Sequence, residues 1–494
     1  MKIPIILLSF FLSFSLQAQD AHFSWSTEAR TCLNTIYNLE FEKAKVQLAN
    51  MEKTAPNNLV RVLLEDYVDF FYLMIEEDPD YLDERIKLKS TRIEALNALP
   101  ESNPYRAFAQ AEIRLHWSLS RIRLEEYLYA ILDLNRAFKD LKQLQDRFPN
   151  FMPSKKTLGA LYVGIGTIPP SYRSFIGVVS SLDGDIEKGF ELVESAYNHS
   201  QVSERFVFKD ETAIIYAYLL LYINKQPEQA WTVMNTCDLD IHKSPLAKFI
   251  ISNMALRTRH TDEAIRLLKE PLDYNGSMEI DFLDFMLGEA YLYKLDPIAT
   301  DYFEKYIQNF TGKNYVKEAL QKQAWSYLVQ NDKENYHKNM QRIAKEGEAY
   351  SASDKSAQFQ AKEGNTPNIN LLKARLLSDG GYFDKARNTL TKNISNPNQL
   401  NPKDQIEYYY RKARIDQLSN VFSSSKINYL KTIELGRNEK TYFACRAALE
   451  LGHIFEQEQN KALATKYFNL CLDLEPDEYK FSLHTSAKAG LRRL

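Results

Sequence analysis

The chain has 494 residues, which is too long for one compact hydrophobic core, so we expect several domains or an extended array of repeats. Its formal net charge is −3, from 62 basic and 65 acidic residues that are mixed along the sequence. This balance argues against a nucleic-acid-binding protein, which would carry a basic tail or stripe. Charged residues make up 26% of the chain, with only 16 glycines and 17 prolines, a composition that favours a helical protein.

The first residues have the pattern of a secretory signal peptide. Lys2 precedes an apolar stretch over 3–16, and the small Ala18 is followed by polar residues. We expect residues 1–19 to be a signal peptide cleaved near Ala18, and the mature protein to be periplasmic or secreted and peripheral to the outer membrane. The apolar stretch is shorter than the roughly 20 residues of a membrane-spanning helix, and an uncleaved anchor is the alternative. LQAQD at 16–20 resembles the export signals of Bacteroidetes-type bacteria.

Residues 20–149 are predicted to form an N-terminal helical domain. Apolar residues recur at i, i+3 and i+4 from Arg106 to Phe148, the spacing of long amphipathic helices. Nearer the start, Ala44, Leu48 and Pro56 mark the second helix of one repeat-like pair.

Glycine and proline concentrate in the next segment, 150–185. No glycine precedes Gly159, and six then lie between 159 and 189. Pro169-Pro170 must stop one helix and suits the first turn of another. We interpret this segment as a helical connection with close backbone contacts, which leads to Gly189 at the small position of a repeat helix.

The rest of the chain carries the tetratricopeptide pattern. The clearest copy is 447–476, where Gly452 and Ala464 lie twelve residues apart and Phe468 follows. Small residues at these positions let two antiparallel helices touch, and the large one fills the gap to the next pair. Weaker copies have the same small pairs, at Gly288 with Ala299 and at Ala374 with Ala386.

These patterns predict an all-α protein, an α-solenoid of stacked helix pairs after an N-terminal helical domain. We expect middle repeats over 186–350 and C-terminal repeats with a capping helix over 368–494. The segment 351–367 is polar and poor in aromatic residues, which predicts a flexible loop.

No motif for catalysis, metal binding or phosphate binding occurs in the chain. We therefore expect no enzyme activity, no metal and no cofactor. The cysteines, at 32, 237, 445 and 471, match no metal spacing and are interpreted as small buried residues. A disulfide between Cys445 and Cys471 is the alternative, because antiparallel pairing brings together the helix ends that carry them.

The first helix of each pair in such an array lines the concave surface. Counting from Ala374, Ala413 and Gly452, three consecutive first helices place four arginines and one tyrosine there. Since the planar fork of arginine fits a carboxylate, we predict a groove for an acidic or C-terminal peptide. The alternative is that the arginines pair with neighbouring glutamates on a solvated face. The candidates are Arg375, Glu407, Tyr410, Arg411, Arg414, Arg446 and His453, with Leu449 and Glu456 beside them.

Three stretches resemble one family, the tetratricopeptide proteins of the fungal inclusion-body clearance type and their animal relatives, the tetratricopeptide repeat 39 group. They are FEKAKVQLANMEKTAPN at 41–57, the helices over 111–141, and the block 164–196 with its double proline and Gly-Asp turn. The resemblance implies binding and scaffolding rather than catalysis, and it carries over no functional residue. The export signal is a departure from that family.

We therefore expect an exported, non-catalytic protein that binds other proteins or peptides through a concave repeat surface, and no nucleic acid. The alternative is a small-ligand or glycan-binding accessory protein at the outer membrane. The wide spread of the four tryptophans along the sequence disfavours that alternative, since a sugar platform needs clustered aromatic rings.

Overall fold

The structure is a computed structural model that describes residues 20–168, 182–273 and 276–494. The expected signal peptide, Pro169-Pro170 and Gly177 lie outside the described residues. Within them, 24 α-helices and two short 3-10 helices form the protein, and the only β contact is an isolated bridge between His22 and Asn58. The fold is all-α, as predicted.

The helices are numbered from the N-terminus. In chain order they are α1 (Thr27–Tyr37), α2 (Phe41–Thr54), α3 (Val60–Glu76), α4 (Pro79–Ala95), α5 (Pro104–Arg123), α6 (Tyr127–Arg147), α7 (Met152–Thr167), α8 (Ile186–Val202), α9 (Lys209–Tyr222), α10 (Pro227–Met234), α11 (Pro245–Arg257), α12 (Thr261–Lys269), α13 (Phe282–Tyr293), α14 (Ala299–Asn309), α15 (Val316–Val329), α16 (Lys333–Ile343), α17 (Ala352–Glu363), α18 (Ile369–Asp379), α19 (Phe383–Asn393), α20 (Pro402–Leu418), α21 (Phe422–Gly436), α22 (Phe443–Gln457), α23 (Lys461–Asp473) and α24 (Lys480–Arg493).

Local sequence signals explain many of the helix starts. The Ser244 and Asn401 side chains accept hydrogen bonds from backbone N–H groups of the first turns of α11 and α20. Pro245 and Pro402 occupy the first helical positions, where a missing N–H costs nothing. Polar caps with a following proline therefore place these helix starts.

The turn inside each repeat pair has a fixed conformation. One residue of each turn has a left-handed backbone conformation. It follows the buried small residue of the first helix by seven positions, and by eight positions when the first helix is α9. The next residue donates its N–H to the carbonyl five residues earlier, as Asn460 does to Phe455 at 2.8 Å, or six residues earlier after α9, where Gln226 donates to Leu220. This is the Schellman ending of a helix. The left-handed residues, which we call the turn positions, are Lys225, Arg259, Leu295, Asn331, Gly381, Asn420 and Gln459.

Small residues allow the two helices of a pair to touch. A Cβ on Gly452 would lie 2.4 Å from the Phe468 ring, and one on Gly288 would lie 2.9 Å from the Phe303 ring. The other small residues of these pairs are fully buried: Ala299, Ala374, Ala386 and Ala464. Consecutive antiparallel pairs stack in this way from α9 onward, so the molecule is an α-solenoid.

Helices α7 and α8 cross at an unusually short distance. A Cβ on Gly159 would lie 2.6 Å from the carbonyl oxygen of Gly189, and a Cβ on Gly189 would lie equally close to that of Gly159. Gly159 and Gly189 therefore allow close helix contact, whereas Gly164 has open space beside it. The N-terminal core continues past residue 149, because Ile165, Phe208 and Ile280 belong to the same buried cluster as Phe23.

The prediction of a flexible loop at 351–367 is wrong, because Ala352–Glu363 forms α17. Ser351 caps this helix by accepting the N–H of Asp354 at 3.0 Å. The buried Asp354 carboxylate in turn accepts the N–H groups of Tyr315 and Glu318, at 2.7 and 3.0 Å, and so caps α15. Ser351 and Asp354 therefore accept hydrogen bonds from the unpaired backbone N–H groups at helix starts, and the segment is not an exposed loop.

Distant parts of the chain meet where one stretch of the solenoid faces another. Asp262, in the first turn of α12, accepts a hydrogen bond from the Tyr382 hydroxyl at 2.9 Å. A Cβ on Gly381 would lie 2.5 Å from the carbonyl oxygen of Arg259, so the α11–α12 and α18–α19 turns are in direct contact. None of the described helices combines the length and the apolar character needed to cross a membrane.

Candidate binding surface

The first helices of the pairs present one side chain each at an equivalent position. It is the residue immediately after the small position, so it points away from the second helix. From α9 to α22 these residues are Tyr218, Asn253, Glu289, Trp325, Arg375, Arg414 and His453. We call this row and the polar side chains bonded to it the inner surface.

The first half of the inner surface contains two groups of polar contacts. The Tyr218 hydroxyl donates to Asn253 Oδ1 at 3.0 Å. Arg257 and Lys322 contact the Glu289 carboxylate at 2.7 and 2.8 Å. Burial alone would raise the pKa of Glu289, but these two cations outweigh it and bring that pKa to about 2. Glu289 is therefore an anion that ties three neighbouring first helices together.

Arginines dominate the second half of the inner surface. The Arg375 guanidinium lies 4.8 Å from the centre of the Trp325 ring, within cation–π range. The Glu450 carboxylate forms ion pairs with Arg414, at 3.2 Å, and with Arg446, at 2.8 Å. Although burial opposes it, these two arginines hold the pKa of Glu450 well below its usual range.

The arginines predicted to line the groove all have carboxylate neighbours. Arg411 donates two hydrogen bonds to Glu407 Oε1, at 3.0 and 2.8 Å, and is itself buried. Arg375 lies 3.6 Å from Asp379. The arrangement is the ion pairing that we gave as the alternative, and ligand binding at these residues stays a prediction.

Two residues that we placed on the groove lie in the core instead. Tyr410 is 5% exposed, because its ring packs 5.2 Å from that of Phe443 on the following first helix. Leu449 is 2% exposed and belongs to the cluster around Phe468. Both precede the small position by three residues, and at this position each first helix packs against its neighbours. His453 and Glu456 remain partly exposed and lie 3.3 Å apart.

Sequence reasoning missed the cations that face this surface from other parts of the chain. Lys225 and Arg259 occupy turn positions. Loss of contact with water and then the charge of Arg414 lower the pKa of Arg259. The pKa of Lys225 is lowered in the same way, by loss of contact with water and then by the charges of Arg446 and Arg414. Arg493 of α24 contacts Glu456 at 2.6 Å. The seven- or eight-residue spacing that recurs along this chain, from the small residue to the turn position, could have located Lys225 and Arg259 in turns. The local sequence does not indicate which helices these turns face.

A second group of ionisable side chains lies inside the N-terminal core. Lys156 contacts Glu211 at 2.6 Å and Glu112 at 3.7 Å. Despite burial, these carboxylates raise the pKa of Lys156, so the lysine is charged. The Tyr67 hydroxyl donates to Glu211 at 2.9 Å. These groups satisfy one another, which is the arrangement of a structural network rather than of an open site.

The four cysteines are free thiols, and all except Cys237 are buried. Burial raises the pKa of Cys32 and of Cys237 to about 12, which keeps both unreactive. The sulfur atoms of Cys445 and Cys471 lie 3.5 Å apart. Among the described residues no group of His, Cys, Asp and Glu has the arrangement of a metal site.

Comparison with known proteins identifies no family model that matches the chain, and no curated protein matches it. Among solved structures 55 chains match. One is the APC/C hetero-tetramer Cut9–Hcn1, at 11% identity and a TM-score of 0.26, covering 95% of this chain and 96% of that one. Another is Naa15/Naa10 bound to HypK-THB, at 14% identity and a TM-score of 0.20, covering 94% and 78%. The repeat assignment rests on the pairs and turns of this chain itself.

Proposed function

We propose that this protein is a non-catalytic scaffold that binds other proteins along the inner surface of its repeat array. The observation that carries the proposal is the row of equivalent side chains, one from each of seven first helices, which mixes aromatic, cationic and amide groups. Glu289 and Trp325 are buried within this row. Its partly exposed members offer the aromatic and hydrogen-bonding groups of protein recognition surfaces, and they are Tyr218, Asn253, Arg375, Arg414 and His453.

The rigidity of this surface supports binding without chemistry. Glu289 and Glu450 each join arginine or lysine side chains from different helices, so the surface is held in one arrangement before a partner arrives. A preorganised surface loses less conformational entropy on binding. Tyr222 adds an exposed aromatic ring next to this surface, stacked 6.0 Å from Tyr218.

Site-specific photo-crosslinking in the source cells tests the proposal. A benzophenone amino acid is placed at Tyr222 on the inner side, or at the exposed Ile427 on the outer helix α21. We expect a discrete crosslinked protein from position 222 and none from position 427. The same crosslinks from both positions, or none from position 222, would refute binding at the inner surface.

We further propose that the protein is exported and belongs with the inclusion-body clearance and tetratricopeptide repeat 39 group. Export is supported by Lys2, the apolar stretch over 3–16 and Ala18, and the family by the three stretches quoted above. Mass spectrometry of the N-terminal peptide from the native protein tests export. A mature end near Gln19 supports it, and an intact Met1 with a cytoplasmic fraction contradicts it.

A further inference from the structure

We infer that the inner surface binds an acidic segment of its protein partner, at a site where the turns after α9 and α11 face α20, α22 and α24. This inference rests on the scaffold function and names the partner's chemistry. The site is a cluster of five cations and three carboxylates, which we call the cross-turn cluster: Lys225, Arg259, Arg414, Arg446 and Arg493 with Asp379, Glu450 and Glu456.

The carboxylates of the cluster are already occupied. Glu450 contacts both Arg414 and Arg446, Glu456 contacts Arg493, and Asp379 lies 3.6 Å from Arg375. Each of these acids therefore has at least one cation of its own. These acids form no ion pair with Lys225 or Arg259, although the charges of Glu450 and Asp379 offset part of the surrounding positive charge.

Lys225 and Arg259 form no ion pair with any described residue. The ammonium of Lys225 donates only to the carbonyl oxygen of Tyr222, at 2.7 Å. Arg259 Nε is buried without a hydrogen-bond partner. Lys225 is exposed, but partial loss of contact with water and then Arg446 lower its pKa. Burial and then Arg414 lower the pKa of Arg259. Two cations are thus held among other cations, an arrangement that an incoming anion would stabilise.

The backbone at these two residues fixes where their side chains start. Both are left-handed, with φ of 58° at Lys225 and 68° at Arg259. The other turn positions hold Gly381, Asn331, Asn420, Leu295 and Gln459, so the turn accepts long side chains as well as glycine and asparagine. Lys225 and Arg259 are the two turn positions that carry a positive charge.

A peptide carboxylate fits the cluster better than a nucleic acid. Arginine forks bind carboxylates through two parallel hydrogen bonds. The acids Asp379, Glu450 and Glu456 are interspersed among the cations, so a continuous phosphate backbone would meet like charges. Side-chain carboxylates on a peptide can instead be spaced to meet the cations alone.

The test measures fluorescence anisotropy of a labelled hexaglutamate peptide with the full-length protein. The variant Lys225→Asn/Arg259→Asn introduces the residue that Asn331 and Asn420 supply at the same turn position, so the turns keep their conformation and thermal stability. The control Lys392→Gln/Lys466→Gln removes the same charge from exposed positions on the second helices α19 and α23.

We expect hexaglutamate to bind the wild-type protein and hexaglutamine not to bind. Binding should weaken about tenfold or more in the Asn double variant, since two charge-assisted contacts are lost, and should not change in the control. Absence of hexaglutamate binding, or equal weakening in both double variants, would overturn the inference. Preferential displacement by tripolyphosphate or a single-stranded oligonucleotide would overturn the peptide assignment.

These results separate the inference from the scaffold proposal. If the crosslink at position 222 forms and hexaglutamate does not bind, the partner is not held through acidic groups and the scaffold function stands. If the crosslink fails while hexaglutamate binds at Lys225 and Arg259, the site takes an anion but the scaffold function is wrong.

Discussion

Glu77 Oε2 binds Asn314 through two hydrogen bonds, 3.1 Å from its backbone nitrogen and 2.9 Å from its side-chain amide nitrogen. The same oxygen accepts the N–H of Lys313 at 2.9 Å, and Arg123 lies 2.6 Å from the other carboxylate oxygen. Glu77 ends α3 in a left-handed conformation and is buried. One carboxylate thus joins the N-terminal domain to the middle of the solenoid.

The variant Glu77→Gln should lower the free energy of unfolding by about 2–4 kcal/mol, because it removes the charge that pairs with Arg123 in a buried site. Urea denaturation measures the change. The control Glu84→Gln alters an exposed glutamate of the neighbouring helix and should leave the midpoint unchanged. Equal midpoints for the two variants would mean that the Glu77 contacts add nothing to stability.

The variant Gly452→Ala should destabilise the C-terminal repeats by about 1–3 kcal/mol, because the new methyl group would lie 2.4 Å from the Phe468 ring. Thermal unfolding measures the loss. Adding Phe468→Leu opens room for the methyl group, so the double variant should lose less stability than the two single losses together. Simple additivity of the two changes would rule out a direct clash.

Acidification should remove the contribution of Glu289 to stability. Its pKa falls from 4.5 to about 2 on folding, so the folded state is favoured at pH above 4.5, and this gain is lost as the pH falls from 4.5 towards 2. The melting temperatures of the wild type and Glu289→Gln should therefore differ most near neutral pH and converge below pH 4.5. The exposed Glu334→Gln should show no such convergence. A constant gap for Glu289→Gln would contradict the lowered pKa.

Oxidation by a small disulfide reagent should join Cys445 to Cys471, with loss of two hydrogens from the intact mass. The two sulfur atoms lie 3.5 Å apart across the α22–α23 pair, and both thiols are buried. The crosslink should stabilise the protein by about 3 kcal/mol through the loop that it closes. Cys471→Ser should show no mass loss at this pair. An unchanged wild-type mass after complete exposure to the reagent would exclude the bond.

The sequence predicted those features of the fold that depend on residues close together along the chain. Gly452, Ala464 and Phe468 identified a helix pair because the size of each side chain alone decides that contact. The helix at 352–363 could not be predicted, since Asp354 is satisfied by backbone groups at Tyr315 and Glu318 that only the fold brings near. The prediction that Tyr410 lies on the groove surface was wrong for a similar reason. Its burial depends on Phe443, which belongs to the first helix of the following repeat pair.

The direct contact between the α11–α12 and α18–α19 turns joins two stretches of the solenoid that lie far apart in sequence. Gly381 leaves no room against the Arg259 carbonyl, and Tyr382 is bonded to Asp262, 120 residues earlier in the chain. In an open array each repeat contacts only its neighbours, but here the first and last repeats of this stretch also contact each other. A change in curvature of the repeats between them therefore has to break this contact or be compensated within the same stretch.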